Sequence, residues 1–483
     1  MIKEINLSML CDYYEFTMAN GYFKNGFHKK NVYFDMFFRA VPDGGGFAVA
    51  AGLEQLIEYI NNLSFDEGDI EFLASKKLFG QDFLEHLKSF RFTGDIYAVP
   101  EGTPVFPGEP LVTVKAPAIE AQLIETFLLL SINHQSLIAT KANRIVRAAG
   151  GRAVLEFGSR RAQGTDGALS GARAAYIGGC AGTACTLGDR LFGVPAFGTM
   201  AHSWIQMFDC EYDAFKNYCE LYPGNVTLLL DTYNTLKSGA PNAIKAFKEI
   251  LVPRGIANFA VRIDSGDLAY LSKEIRRMFD EAGLDSCKIV ASNSLDEYII
   301  GDLLSQGAKI DVFGVGERLI TAKSDAAFGG VYKLVAAEDG RGQIVPKIKV
   351  SENVGKITTP HFKKLYRLFD NQSRKALADE ITVYDEAINE KNPHTIFDPE
   401  APWKTKTLTD FNAKLLQVPV FLNGRQVYSP PPVGEIKAYC AAQVDLLWDE
   451  VKRFENPHMY YVDLSKKLWD IKQDLLYAAG KNF

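Results

Sequence analysis

The sequence predicts an α/β protein with an irregular β/α barrel core, an N-terminal α+β domain and a C-terminal, mostly helical segment. Three observations lead there. From Arg152 the chain repeats one grammar in six places: a short apolar run, a polar or glycine-rich turn, then an amphipathic helix. Apolar strands alternating with helices build a parallel sheet covered on both faces. Before this region strand-like runs punctuated by Gly and Pro dominate, and the last ~50 residues return to helical spacing.

Residues 1–120 read as the α+β domain, with strands in "NVYFDMFFRAVP", "GGGFAVAAG" and "FTGDIYAVPEGTPVFPGEPLVTVKAP" and helices near 54–63 and 81–90. Residues 121–350 read as the barrel. They open on a helix-like run, "IEAQLIETFLLLSINHQSLIATKANRIVRAAG". The strands that follow are "RAVLEFGSRR", "GVPAFGTMAHSW", "NVTLLLDTYNT", "NFAVRIDSGD", "CKIVASNS" and "KIDVFGVGER". The clearest helix, "DLAYLSKEIRRMFDEAG", puts Leu268, Leu271, Ile275, Met278 and Phe279 on one face, and Gly283 ends it. Residues 351–483 form the C-terminal segment, either a third domain or a return to the first, with "SPPPVGE" as a rigid connector into its helices.

Composition narrows the partners. With 47% hydrophobic and 23% charged residues, the 483-residue chain has the balance of a folded soluble protein of two or three domains. A net charge of −6 offers no basic field, so nucleic acid is excluded and an anion must be held by local arginines and backbone N–H groups. The seven cysteines are scattered, with neither zinc nor disulfide spacing, which predicts a reducing cytoplasm. Lys3, Glu4, Asp12 and Glu15 interrupt the start, which does not read as a signal peptide. Even "LIETFLLLSI" carries Glu125, so no membrane span is expected.

In a β/α barrel the C-terminal strand ends converge on one mouth. His202, in "GVPAFGTMAHSWIQMF", should therefore meet Glu156, Arg160, Arg161, Asp231, Thr232, Arg262, Asp264, Ser265, Asp267, Ser292, Asn293, Gly314 and Gly316. An apolar core would not choose that set. Asp264 and Ser265 either cap a helix or meet a sugar diol and a phosphate. Asp231 likewise caps a helix or stabilises a positive sugar transition state. Gly314 and Gly316 mark a tight turn or a close backbone approach to an anion. Arg160 and Arg161 grip a carboxylate or phosphate, or pair with a structural acid; Phe157 is core or a stacking surface. His202 is a hydrogen-bonded contact residue or a nucleophile, and no second histidine lies at metal-ligand spacing.

The ordered set "DYYEFTMANGYF", "EFGSRRAQGTDGA", "GVPAFGTMAHSWIQMF", "LLLDTYNT", "VRIDSGDL" and "FGVGERLIT...GGVYKLV" resembles the nicotinate phosphoribosyltransferase family of type II phosphoribosyltransferases. The resemblance implies formation of nicotinate mononucleotide and pyrophosphate from nicotinate and 5-phosphoribosyl 1-pyrophosphate, driven by ATP through a phosphohistidine. On that resemblance His202 is the phosphoryl carrier, Asp231 faces the developing charge at C1, and Arg262 and Asp264 contact ribose and pyridine. Tyr14, from a second subunit, and Phe157 cover the two faces of the ring. Arg160 or Arg161 meets the nicotinate carboxylate or the 5-phosphate, and Arg39 the pyrophosphate across a dimer. Ser292, Asn293, Gly314 and Gly316 form the 5-phosphate turn, and Gly158, Thr199 and Ser265 complete the substrate-binding set. ATP is a co-substrate, Mg²⁺ enters on substrate oxygens, and no tightly bound organic cofactor is expected. Glu317 departs from the pattern, since a small or hydroxyl residue suits an anion better there, and it puts Glu317 and Arg318 in doubt as contacts. The competing readings are a nicotinamide-using transferase and a non-catalytic barrel that binds a sugar phosphate.

Overall fold

Six parallel strands carry the core of the central region, and the computed structural model, which describes residues 6–480, shows why they stop short of a closed ring. Across the sheet the order is Gly182–Thr183, Ala153–Glu156, Val312–Val315, Lys288–Ser292, Phe259–Ile263 and Val226–Leu229. Each neighbouring pair is parallel. Followed along the chain, this is barrel order opened once, between the second strand and the third: a half-barrel whose edges are Gly182–Thr183 and Val226–Leu229. Val154, Leu228, Val261, Ile263, Ile289, Phe313 and Val315 are buried along these strands, as a sheet covered on both faces requires. The helix Leu268–Glu281 ends as expected, with Gly283 at φ 73°, and buries Leu268, Ile275 and Phe279.

Five of the six expected strands are present. The exception is "GVPAFGTMAHSW", whose expected strand is not formed. Gly193 takes φ 70° to close the helix Thr186–Phe192, and Pro195 has no N–H to give a ladder. The segment touches the sheet at one parallel bridge, Thr183 to Ala196. The sixth strand is instead Gly182–Thr183, too short to show any periodicity.

The chain divides into two compact units, residues 138–326 and residues 1–137 with 327–483. The second unit holds a seven-stranded sheet in which Asn31–Phe37 lies antiparallel between Val331–Glu338 and Val112–Pro117. Val418–Leu422 joins the same sheet beside Asp95–Ala98. The expected helices near 54–63 and 81–90 are Leu53–Asn62 and Gln81–Lys88.

A mostly helical C-terminal segment is corrected in part. Val433–Asp445 and Lys466–Gly480 are helices, but between them and the barrel region lie strands, notably Lys363–Asp370 paired antiparallel with Ala376–Val383. Alternation explains this: Lys363, Leu365 and Arg367 are buried while Lys364 and Tyr366 are only partly so, a period of two that suits a strand and breaks at Leu368, where the register shifts. Leu368, Ala378, Ile396, Leu408 and Phe411 form a core there, and Arg367 pairs with Asp379 at 2.6 Å in the interior. Among the described residues no helix is long and apolar enough to cross a membrane.

Candidate active site

The barrel strands deliver site residues just past their C-terminal ends. Asp231 and Thr232 follow Val226–Leu229, Asp264 and Ser265 follow Phe259–Ile263, and Phe157 and Gly158 follow Ala153–Glu156. The choice between cap and site is decided locally. Asp267 caps the helix Leu268–Glu281 by accepting from the Tyr270 N–H, which leaves Asp264 and Ser265 for other partners. Asn234 caps the turn after Asp231 by accepting from the Lys237 N–H, so Asp231 is not a cap either.

These freed groups form one connected network. Arg262, with a side chain 14% exposed, donates from Nε to Ser292 Oγ, from one terminal nitrogen to Thr199 Oγ1 and from the other to Asp264 Oδ1, each at 2.9 Å. The Ser292 hydroxyl also bonds Asp264 Oδ1. Three acceptors fix the guanidinium in one plane, which is how arginine becomes a rigid recognition surface. Asp231 Oδ2 accepts from the Asp264 N–H at 3.1 Å and from the Ser265 hydroxyl. Asp231 Oδ1 is buried with no hydrogen-bond partner among the described residues. A carboxylate oxygen held in that state is poised for a donor or a positive charge brought by a ligand.

His202 opens the short helix His202–Gln206, half-buried, with Nδ1 3.0 Å from Thr232 Oγ1. The segment that failed to form a strand therefore spans the opening of the sheet, tied to Thr183 on one edge and to Thr232 beyond the other. Thr232 is adjacent to Asp231 in the chain, so His202 and Arg262 belong to one site.

Phe157 forms the other wall. Its N–H donates to Val315 O at 2.7 Å, and the Arg262 guanidinium lies 5.8 Å from its ring centroid. A Cβ on Gly314 would stand 2.6 Å from the Phe157 ring, and one on Gly316 3.1 Å from the Phe157 carbonyl. Both glycines make room for Phe157, a requirement that Gly-x-Gly alone does not reveal. Arg160 and Arg161, in the turn Ser159–Arg161, are exposed. Asn293, at φ 94°, and Ser294, at φ 50°, take consecutive left-handed conformations after Lys288–Ser292. Glu317 pairs with Lys323 at 2.8 Å, which lowers its carboxyl pKa, and Arg318 pairs with Asp296. Both side chains are thus engaged within the protein.

Tyr14 and Arg39 lie in the other compact unit. Tyr14 is 44% exposed on the helix Tyr13–Lys24; partial burial and then the nearby Glu125 raise the pKa of its hydroxyl. Arg39 lies 5.7 Å from the Phe37 ring centroid, and its buried Nε has no hydrogen-bond partner among the described residues. The sequence reading missed the supporting residue Thr183, which bonds the buried Glu156 carboxylate at 2.6 Å. A hydroxyl two residues before Cys185 carries no signal of its own.

Three family models match in succession: the nicotinate phosphoribosyltransferase N-terminal domain over residues 9–133, the nicotinate phosphoribosyltransferase family over 153–367 and its C-terminal domain over 362–472. The nicotinate phosphoribosyltransferase of Bacillus subtilis is 44% identical, covering 99% of this chain and 96% of its own. The human protein of that name is 32% identical, covering 98% and 97%. The crystal structure of human nicotinic acid phosphoribosyltransferase superposes with a TM-score of 0.83 at 30% identity, covering 97% of this chain and all of that one. End-to-end likeness of this kind, over a chain whose strand ends converge on His202, Asp231 and Arg262, makes this protein a member of the nicotinate phosphoribosyltransferase family.

Proposed function

We propose that this chain forms nicotinate mononucleotide and pyrophosphate from nicotinate and 5-phosphoribosyl 1-pyrophosphate, the first step from nicotinate toward NAD, with ATP hydrolysis coupled through a phosphohistidine at His202. The names of the relatives supply the transfer. The observation that carries the mechanism is the unbroken chain of contacts from His202 through Thr232 and Asp231 to Asp264 and Arg262.

In this reading the pyridine nitrogen forms a bond to C1 of the ribosyl donor while the bond from C1 to the pyrophosphate oxygen breaks. Positive charge develops at C1, and Asp231, whose buried Oδ1 has no hydrogen-bond partner among the described residues, is the carboxylate that meets it. Arg262 and Asp264 orient ribose and ring, Phe157 stacks on one face of the pyridine, and Arg160 or Arg161 meets its carboxylate. Ser292, Asn293 and the turn at Gly314 and Gly316 take the 5-phosphate. Tyr14 and Arg39 are contributed by the second copy in a homodimer.

Coupling begins at the imidazole. Nδ1 of His202 is engaged with Thr232 Oγ1 at 3.0 Å, and the tautomer that donates from Nδ1 leaves the ring's lone pair on Nε2. That nitrogen takes the γ-phosphoryl group, the bond to the β-phosphate oxygen breaks and ADP leaves; water later returns the histidine and releases phosphate. The added charge orders the segment over the donor site. Mg²⁺ would enter with the phosphate oxygens of ATP and of the ribosyl donor, the ligands its hard octahedral coordination prefers.

The test is His202→Ala. ATP stimulation of transfer disappears, while slow ATP-independent formation of nicotinate mononucleotide persists. Undiminished ATP stimulation in the variant rejects the phosphohistidine. The nicotinamide reading is tested by comparing kcat/KM for the two pyridines. The paired arginines favour the anionic ring by about a hundredfold or more, as loss of a charge-assisted bond implies.

A further inference from the structure

Glu156 ends its barrel strand fully buried, and both of its carboxylate oxygens are occupied. One oxygen accepts from the Gly158 N–H, and the other from the Thr183 hydroxyl at 2.6 Å. Burial raises its carboxyl pKa, and the two donated bonds oppose that shift. A buried carboxylate is an expensive way to hold a loop, and it is tolerated only when both lone-pair sets are used.

What it joins is specific. On one side the Gly158 amide belongs to the turn carrying Phe157, Arg160 and Arg161, and a Cβ on Gly158 would stand 2.8 Å from the carboxylate and 2.6 Å from Ile320. On the other side Thr183 is the residue that receives the His202 segment. Its N–H donates to Pro195 O at 3.0 Å, its carbonyl accepts from the Phe197 N–H at 2.7 Å, and its hydroxyl accepts from the Cys185 N–H at 3.0 Å. Five residues after Phe197 the same segment presents His202.

We propose that the Glu156–Thr183 hydrogen bond is a latch between the ring-binding turn and the phosphoryl-carrying segment, so that Glu156 and Thr183 are positioning residues coupling ATP use to pyridine binding. The proposal rests on the function given above. Neither residue touches a reacting atom; each acts through what it holds. A shift of the His202 segment on phosphorylation reaches Phe157 and the paired arginines through one short charge-assisted bond, without passing through Arg262.

The experiment uses full-length Thr183→Val, Thr183→Ser and Glu156→Gln proteins. Valine keeps the shape of threonine but leaves the second Glu156 oxygen without its donor, whereas serine keeps the hydroxyl. Three quantities are measured: ADP released per nicotinate mononucleotide formed, the KM for nicotinate and the KM for the ribosyl donor. In Thr183→Val and Glu156→Gln the KM for nicotinate rises about tenfold, as loss of one charge-assisted bond implies. ADP per product rises severalfold, the KM for the donor stays near wild type, and Thr183→Ser restores both changes. An unchanged ratio and unchanged KM for nicotinate overturn the latch, as does a fall in all parameters together that follows a lowered Tm. Should Thr183→Val not fold, Glu156→Gln against Thr183→Ser makes the same comparison. Absence of ATP stimulation in the wild type rejects the parent reading instead, and the KM for nicotinate then still judges the latch.

Discussion

Gly314 shows how much one missing side chain decides. A Cβ there would stand 2.6 Å from the Phe157 ring and 3.4 Å from the Ser292 Cβ, so the ring must turn to admit it. Gly314→Ala therefore costs about 1–3 kcal/mol of stability by overpacking and raises the KM for nicotinate, read by urea unfolding and steady-state kinetics. Asp231→Asn keeps the bonds to Asp264 and Ser265 possible in shape but removes the charge. The kcat for pyrophosphate release falls about 10²–10³-fold with little change in donor binding, the signature of a group acting in the transition state. At this scale the sequence was informative wherever chemistry is carried by residue type. Aspartates just past strand ends, with Arg262 on the strand itself, announce a mouth. Thr183 did not, because a threonine in a buried pair looks like any other threonine.

The helix Glu297–Ser305 links a local rule to the site's rim. Asp296 caps it, accepting from the N–H groups of Tyr298 and Ile299, while its second oxygen pairs with Arg318. One carboxylate thus satisfies a helix end and holds the residue two beyond Gly316. Asp296→Ala costs about 1–2 kcal/mol, measured by denaturant unfolding. Elements with a clear period were legible: Leu268–Glu281 announced its face and its glycine stop. Two were not. "GVPAFG" has a strand's composition, but Gly193 and Pro195 deny it a ladder, and Gly182–Thr183 is a strand only because its neighbour pairs with it.

Across the whole molecule the acid–base balance has a definite sign. Asp463 lies opposite Glu380 in a parallel pair, 4% exposed, and burial together with Glu380 and Asp398 raises its pKa to about 7. A carboxyl whose folded pKa exceeds its unfolded value near 4 stabilises fully below about pH 4 and loses that contribution as pH rises through 7. Asp463→Asn imitates the protonated form. Its stability matches wild type below about pH 4 and exceeds it at pH 8 by about 1.4 kcal/mol for each unit separating the two pKa values, read from unfolding at both ends of that range. The overall class was visible in the strand–helix alternation. The pairing of Asn31–Phe37 with Val331–Glu338 was not, since nothing local in either strand names a partner some 300 residues away.

That pairing also sets a timetable. The unit built from residues 1–137 and 327–483 surrounds, in the chain, a unit that is complete in itself. During synthesis the inserted portion emerges whole and is free to settle while the opening stretch, its strand Asn31–Phe37 lacking one neighbour, still waits for translation to deliver the other. A nascent chain halted before Val331 leaves that strand's edge bare, an unpaired row of N–H and C=O groups that invites pairing with another chain.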